Sequence, residues 1–459
     1  MAARDEGVEL NRSLGLFDAT TIVMGSMIGS GVFIVAADIG RQVQSPGLLL
    51  LSWAVTALLT LIAALSYGEL AAAMPHAGGQ YVYLREAFGP LYGFLYGWTF
   101  FLVIQTGTIA AVAVAFAKFL GVFVPWVAAS NKLLPFFSSQ QLVAITLIAL
   151  LTWVNTRGVR TGAAVQNVFT VAKTGALLGL IAAGWLWGRN DAAVARNFSE
   201  PFAGVEWGWT TVRLVGVALV GSLFSSDSWN NVTFTAGEMR NPKRNLPLSL
   251  ALGVGLVSLL YLACNTVYLQ VLPLEAIQTA PEDRVGTAVA RGIFGDSAVQ
   301  IMAAAIMVST FGCVNGLTMA GARVYYAMAL DKLFFQAAAR LDPRSNAPVT
   351  ALWIQALWAA LLTLTGSYNE LLDYVIFAVL LFYILTIVGV FVLRRTRPTM
   401  ERPYRAFGYP VLPALYILLA GAVELLLLIY KPSFTWPGLL IVLLGIPVYF
   451  VWKMREVKA

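Results

Sequence analysis

Charge and histidine are what this sequence has least of: Asp, Glu, Lys and Arg together make up 12% of 459 residues, and His76 is the single histidine. With one imidazole there is no HExxH zinc motif and no Ser/His/Asp set, and no phosphate-cradling GxxxxGK[ST] loop is present. Hydrolytic enzymes and ATP-driven pumps lose their usual parts, and no cofactor or metal is expected. The two cysteines, Cys264 and Cys313, both fall inside apolar stretches at a spacing that implies neither a disulfide nor a metal site. They read as packing residues.

What the chain has in abundance is apolar surface, 59% of its residues. One soluble core cannot hide that much, so the solvent is lipid. Stretches of about 20 apolar residues, enough to cross roughly 30 Å of hydrocarbon, occur about twelve times. They lie near 16–39, 47–73, 89–117, 139–155, 162–187, 211–236, 247–272, 297–330, 349–365, 370–393, 409–430 and 434–453. No cleavable signal peptide is expected, because Arg4, Asp5, Glu6, Glu9 and Arg12 lead straight into the first full-length span. Lys and Arg are about twice as frequent in the loops on the side of both termini as on the other, which predicts cytoplasmic termini and a multi-pass inner-membrane protein. Arg394, Arg395, Arg397, Arg402 and Arg405 follow an apolar span directly and belong to this topology signal rather than to a nucleic-acid patch. The net charge of +7 likewise fits attraction to anionic lipid.

Two spans are irregular. Gly25-Ser26-Met27-Ile28-Gly29-Ser30-Gly31 sets glycines and serines in the middle of the first, where each Gly lowers helix stability by up to about 1 kcal/mol relative to Ala. Close helix packing is one use of such residues in a membrane. The other is a break in the helix, and a second segment favours it: Gly221-Ser222-Leu223-Phe224-Ser225-Ser226-Asp227-Ser228-Trp229-Asn230-Asn231 interrupts the sixth span and adds a carboxylate. Interruptions in spans one and six are what an inverted repeat of five plus five helices produces, with two helices appended. The expected architecture is therefore an all-α membrane protein: a first repeat over 16–187, a second over 211–393 and extra helices over 409–453, in one transport domain.

Unwinding leaves unpaired N–H groups at the start of one half-helix and unpaired carbonyls at the end of the other. A carboxylate suits the first, with help from the half-helix dipole, and an ammonium suits the second. A free amino acid carries both.

Several motifs in order give the chain a resemblance to a known family: Gly25 to Phe33 (GSMIGSGVF), Tyr67-Gly-Glu-Leu-Ala, Pro75-His-Ala-Gly-Gly-Gln-Tyr-Val-Tyr-Leu-Arg-Glu-Ala-Phe88, Phe224 with Trp229 and Asn230, and Gly237-Glu-Met-Arg-Asn-Pro-Lys-Arg-Asn-Leu-Pro247. Over nearly its whole length the chain resembles the amino acid-polyamine-organocation superfamily, and within it the L-type amino acid transporter branch and its bacterial relatives. The resemblance implies the five-plus-five fold with broken helices one and six. It implies a substrate carboxylate held by the backbone N–H groups of Gly29, Ser30 and Gly31, next to Met27 and Ile28. The amine would meet carbonyls at Met27, Phe224 and the position of Asp227, with Ser225 and Asn230 in the same break. Phe224 resembles a gating aromatic that closes over the substrate, the alternative being a packing Phe; Trp229 is placed beside it as a gating residue.

Lys173 lies about 11 residues into its span, so its ammonium is roughly 16 Å from the near end, beyond easy snorkelling. A central lysine raises the free energy of insertion by about 2.5–3.5 kcal/mol, so it needs a partner. The resemblance implies that it takes the place where sodium-coupled relatives bind their ion, tying the first break to helices five and eight. Tyr268 resembles a family tyrosine near that lysine. Asp227 has two readings: an N-cap for the second half of span six, or a pocket carboxylate that attracts a cationic side chain or takes a proton. Gln105 and Thr106 either line the pocket or pack helices. Glu69 and Glu238 are expected to join Arg240 or Arg323 at the inner face, in an inner gate or a simple loop clamp, and Glu424 is assigned to neither substrate nor coupling.

Animal L-type transporters join a single-span glycoprotein through a cysteine between spans three and four; Gly121 to Gln140 contains none, so no disulfide-linked heavy chain is implied. Oligomeric state has no signature here. An ion channel needs a continuous polar pore, and intramembrane charges are too few for one. The expected function is sodium-independent exchange or uniport of neutral, small L-amino acids, with proton-coupled symport or cationic substrates as the alternatives.

Overall fold

The computed structural model describes residues 10–364 and 368–456; Arg4, Asp5, Glu6 and Glu9 lie outside the described residues. Among those described, ten helices are long and apolar enough to cross a membrane. In chain order the helices are α1 (Leu16–Met27), α2 (Gly31–Ile34), α3 (Ala36–Val43), α4 (Pro46–Ala73), α5 (Gln80–Phe88), α6 (Pro90–Thr99), α7 (Gln105–Leu120), α8 (Ser139–Thr156), α9 (Val159–Leu186) and α10 (Asp191–Phe198). They continue with α11 (Trp209–Ser225), α12 (Asn231–Phe234), α13 (Pro242–Val271), α14 (Leu274–Gln278), α15 (Val285–Phe294), α16 (Ala298–Leu330), α17 (Val349–Leu362), α18 (Tyr368–Thr396), α19 (Val411–Tyr430) and α20 (Pro432–Glu456).

Two of the twelve expected spans fall short of that length. The span read over 211–236 ends as a helix at Ser225 and resumes only at Asn231, and the one read over 349–365 is the 14-residue α17. The first shortfall is the break itself.

Local sequence explains where the long helices begin. Ser45 accepts the Leu48 N–H at 3.2 Å ahead of Pro46, whose missing N–H is harmless at a first helical position. At the head of α8, Ser138 and Gln141 cap each other's backbone N–H groups. A π-helical turn over Phe100–Ile104 joins α6 to α7, and the hydroxyl of Thr106 donates to Phe101 O at 2.6 Å across it. Between α7 and α8 a small antiparallel hairpin, β1 (Lys132–Leu134) with β2 (Phe137–Ser138), was not foreseen; its strands are too short to show a period.

α1 and α11 with their continuations lie at the centre. α13 packs along α4 and α1, α16 along α7 and α9, and α9 closes on α1, so the two broken segments are enclosed by continuous helices. α19 and α20 pack outside, against α18, α11 and α6.

Candidate functional site

The first break begins at Ile28, whose φ −74°, ψ 95° leaves the helical region, and ends where α2 starts at Gly31. The second runs from Ser226 to Asn230 and turns at Ser228, a non-glycine residue at φ 66°. The breaks touch. A Cβ built on Gly31 would stand 2.2 Å from Ser225 Oγ and 2.8 Å from Ser225 Cβ, so only glycine fits there. A Cβ on Gly25 would meet the Gln166 amide at 1.9 Å, which presses α1 onto α9.

Side chains from three surrounding helices take up the carbonyls that α1 leaves open. Lys173, buried on α9, donates from Nζ to Gly25 O (2.6 Å), Ile28 O (2.6 Å) and Ser309 O (3.3 Å). From α16, the Ser309 hydroxyl donates to Gly29 O (2.8 Å) and Ile28 O (3.2 Å), and Cys313 Sγ to Ser26 O (3.1 Å). From α13, Tyr261 Oη lies 3.0 Å from both Met27 O and Ser225 O, its one proton shared between the two breaks. Each carbonyl from Gly25 to Gly29 thus has a side-chain donor. Met27 O, expected to face an ammonium, takes the Tyr261 hydroxyl. The N–H groups of Gly29, Ser30 and Gly31 sit where the helix is interrupted, at the start of the half-helix that α2 begins.

Tyr261 replaces Tyr268 in this arrangement. Tyr268 shares its face of α13 but lies about 10 Å further along at 1.5 Å per residue, buried, without contact to Lys173 or the breaks among the bonds described. A resemblance to a tyrosine selected the right face and the wrong turn.

In the second break, Asp227 is buried and its Oδ1 accepts the Tyr383 hydroxyl at 2.6 Å. The N-cap reading of Asp227 fails: the cap position of α12 is Asn230, and no side chain caps that end. Asn230 instead accepts from Tyr383 Oη (3.1 Å) and donates to Gln80 Oε1 (2.8 Å), while Gln80 Nε2 donates to Thr386 Oγ1 (3.1 Å). This network ties α5 and α18 to the break. Trp229 packs edge-on against Tyr67 at 4.8 Å and tilts against Tyr383 at 5.0 Å. Phe224, nearly buried at the end of α11, gives its carbonyl to the Asp227 N–H at 3.1 Å.

Gln105 borders a cavity of about 10 Å³ with Tyr96, Asp227, Asn230 and Tyr383, and donates to Leu317 O at 2.7 Å. Thr106 turns back on its own helix. A second cavity of about 20 Å³ lies between Asp227, Trp229, Tyr383 and Tyr416. Each has room for about one water. A much larger cavity of about 780 Å³, at the end of α7 and the hairpin, is lined by Ile34, Lys118, Gln141, Glu282 and Arg284 among others.

On the opposite face Glu238 and Arg323 form a two-pronged buried pair at 2.9 and 3.0 Å, one of the two pairings expected for Glu238. Glu69 differs from expectation. Its carboxylate takes Arg394 (2.6 and 2.9 Å), Arg402 (3.3 Å) and the Ala406 N–H (2.7 Å), so part of the arginine cluster at the end of α18 and beyond it clamps a buried acid. Arg240 offers its backbone N–H to Leu14 O at 2.8 Å, and its side chain is exposed. Glu424 stays in α19, away from both breaks, its two oxygens without a hydrogen-bond partner among the described residues.

Sequence reasoning missed Tyr261, Ser309, Tyr383 and Gln80. The i, i+4 pair Ser309 and Cys313 and the i, i+7 pair Tyr261 and Tyr268 each mark one helix face, but nothing in the sequence says which face meets α1.

The model of the amino acid permease family matches residues 14–452. The chain is 31% identical over 466 residues to large neutral amino acids transporter small subunit 2 of Mus musculus, covering 97% of this chain and 82% of that protein. To b(0,+)-type amino acid transporter 1 of Homo sapiens it is 31% identical over 450 residues, covering 96% and 88%. These are transporters rather than enzymes. With touching helix breaks at its centre and a family match over nearly all its length, the chain belongs to the amino acid permease family.

Proposed function

We propose that this protein carries L-amino acids across the membrane without sodium, by exchange or uniport, and that it favours small neutral substrates. The carrying observation is the Lys173 ammonium, fixed by the carbonyls of Gly25, Ile28 and Ser309. It holds the broken helix to α9 and α16 with a positive charge in the place an added cation would take. The substrate carboxylate lies on the N–H groups of Gly29, Ser30 and Gly31. Its ammonium shares Met27 O and the backbone between Phe224 and Asp227, with Ile28 and Ser225 flanking, and Phe224 and Trp229 close over it. Glycine at 31 and the close fit of Ser225 support small side chains.

The architecture that fits this cycle is twelve spans in a five-plus-five inverted repeat, 16–187 and 211–393, with 409–453 appended. Both termini are cytoplasmic and the membrane is the inner one. The name of one relative calls it a small subunit. For this chain we place no disulfide-linked partner, because Cys264 and Cys313 are its only cysteines and both are buried in helices.

One observation favours a second reading: the Asp227 carboxylate is held by a neutral hydroxyl and has no Lys or Arg partner among the described residues. Such a group accepts a proton or a cationic side chain. Competition of alanine, serine, leucine and arginine for radiolabelled substrate on the purified protein separates the readings. Displacement by alanine and serine over arginine supports the first; arginine ahead of both supports the second and overturns the neutral preference.

A further inference from the structure

One cavity stands apart from the breaks in both place and charge. It opens on the face that carries the N-terminal segment, has a volume of about 590 Å³ and is lined by Arg12, Pro75, Asn241, Pro242, Lys243 and Arg244. Among the described residues, no acidic one lines it. Lys243 is partly engaged by Glu401 at 2.8 Å, whereas Arg12 and Arg244 are exposed and have no ion-pair partner among the described residues. The motif Gly237 to Pro247 supplies most of these residues, and transport at the breaks gives it no role.

The electrostatics of the cavity are unfavourable as they stand. Three cations crowd it with Glu401 on Lys243 as their one counter-charge among the described residues, and two of them, Lys243 and Arg244, occupy the first turn of α13, where no acidic residue or side-chain cap offsets the positive end of the dipole. An anion seated among Arg12, Lys243 and Arg244 relieves both. The cavity also lies at the depth where spans end: Pro75 follows α4, which stops at Ala73, and α13 starts at Pro242. That is the level of lipid phosphates, and basic pockets between spans are recognised binding places for anionic headgroups.

We propose that this cavity binds the phosphate of an anionic membrane lipid. The bound headgroup has a structural consequence. Arg12 leads into Ser13 and Leu14, whose N–H groups donate to Glu238 O at 2.8 and 3.0 Å, while the Arg240 N–H returns to Leu14 O. A phosphate shared by Arg12 and Arg244 straps the segment before α1 to the start of α13, on the face already closed by Glu238 and Arg323. Anionic lipid then favours the form closed on that face, by binding it better than any form in which α1 swings away.

The test uses the full chain in neutral detergent, followed by native mass spectrometry and thermal unfolding. It is titrated separately with short-chain phosphatidylglycerol, short-chain phosphatidylcholine and inorganic phosphate. Phosphatidylglycerol is expected to bind saturably and raise the unfolding midpoint. Its half-saturating concentration should rise at least about tenfold in the double variant Arg12→Gln, Arg244→Gln, the loss of about 1.4 kcal/mol. Arg160→Gln, which removes an exposed cation at the start of α9, should leave it unchanged. Should the double variant fail to fold, Arg244→Ala alone is expected to weaken binding about threefold. The same phosphatidylglycerol midpoint in wild type and variants overturns the site. A saturable response to inorganic phosphate that the double variant loses overturns the lipid as its source.

Discussion

Replacing Lys173 with Met separates folding from transport, because the two effects of the substitution on stability oppose each other. The ammonium now donates to three carbonyls. Without it, Ile28 O keeps the Ser309 hydroxyl at 3.2 Å, but Gly25 O loses its side-chain donor. One buried unsatisfied carbonyl costs about 1–3 kcal/mol. Against this, removing a charge from the middle of a span recovers about 2.5–3.5 kcal/mol of insertion free energy. The fold should therefore survive, with an unfolding midpoint close to wild type, while the break loses the group that fixes its geometry. Uptake into proteoliposomes should fall at least about tenfold. Lys173→Ala goes further, leaving the oxygens of Gly25, Ile28 and Ser309 facing space that a small cation can occupy, and sodium should restore part of its uptake and raise its unfolding midpoint. A Lys173→Met protein that transports at the wild-type rate refutes the reasoning.

Other substitutions test separate contacts. Gly31→Ala, whose Cβ would stand 2.2 Å from Ser225 Oγ, should abolish measurable substrate binding; adding Ser225→Gly should restore only part of it, since the Ser225 backbone is 3.1 Å away. Breaking the buried pair by Glu238→Gln should lower stability by about 3–5 kcal/mol, read by thermal unfolding, and pairing it with Arg323→Met should recover most of that loss. Asp227→Asn keeps an acceptor for Tyr383, so uptake of neutral amino acids should persist, and any acid stimulation of uptake should vanish. On the face of the N-terminal segment, burial works to raise the Glu86 carboxyl, but hydrogen bonds from Arg397 and Arg85 outweigh it and hold its pKa below the ordinary value. Its contribution to stability is thus present above the unfolded carboxylate's pKa of about 4.3 and lost as pH falls through the lower folded value. Thermal unfolding between neutral and acid pH should show that loss in wild type and a flatter profile in Glu86→Gln.

The spans and the breaks were legible because both follow from solvent physics. Lipid demands long apolar runs, and Gly29, Ser30 and Gly31 in mid-span, matched by a second polar interruption in span six, mark a break. Lys173 was legible for the same reason: a charge that deep must be tied to something, and it is tied to the broken helix. Rotation of helices was not legible. α13 and α18 are apolar on most faces, so nothing in the sequence turned Tyr261 or Tyr383 toward the breaks rather than away. Glu69 was given the wrong arginine partners because Arg394 and Arg402 lie far along the chain and looked like ordinary topology-setting cations.

Uptake of radiolabelled alanine into proteoliposomes, with and without unlabelled amino acid inside and with sodium replaced by choline, tests the central claim most directly. Uptake that is unchanged in choline and rises with internal amino acid is the predicted result. Uptake that disappears without sodium contradicts it.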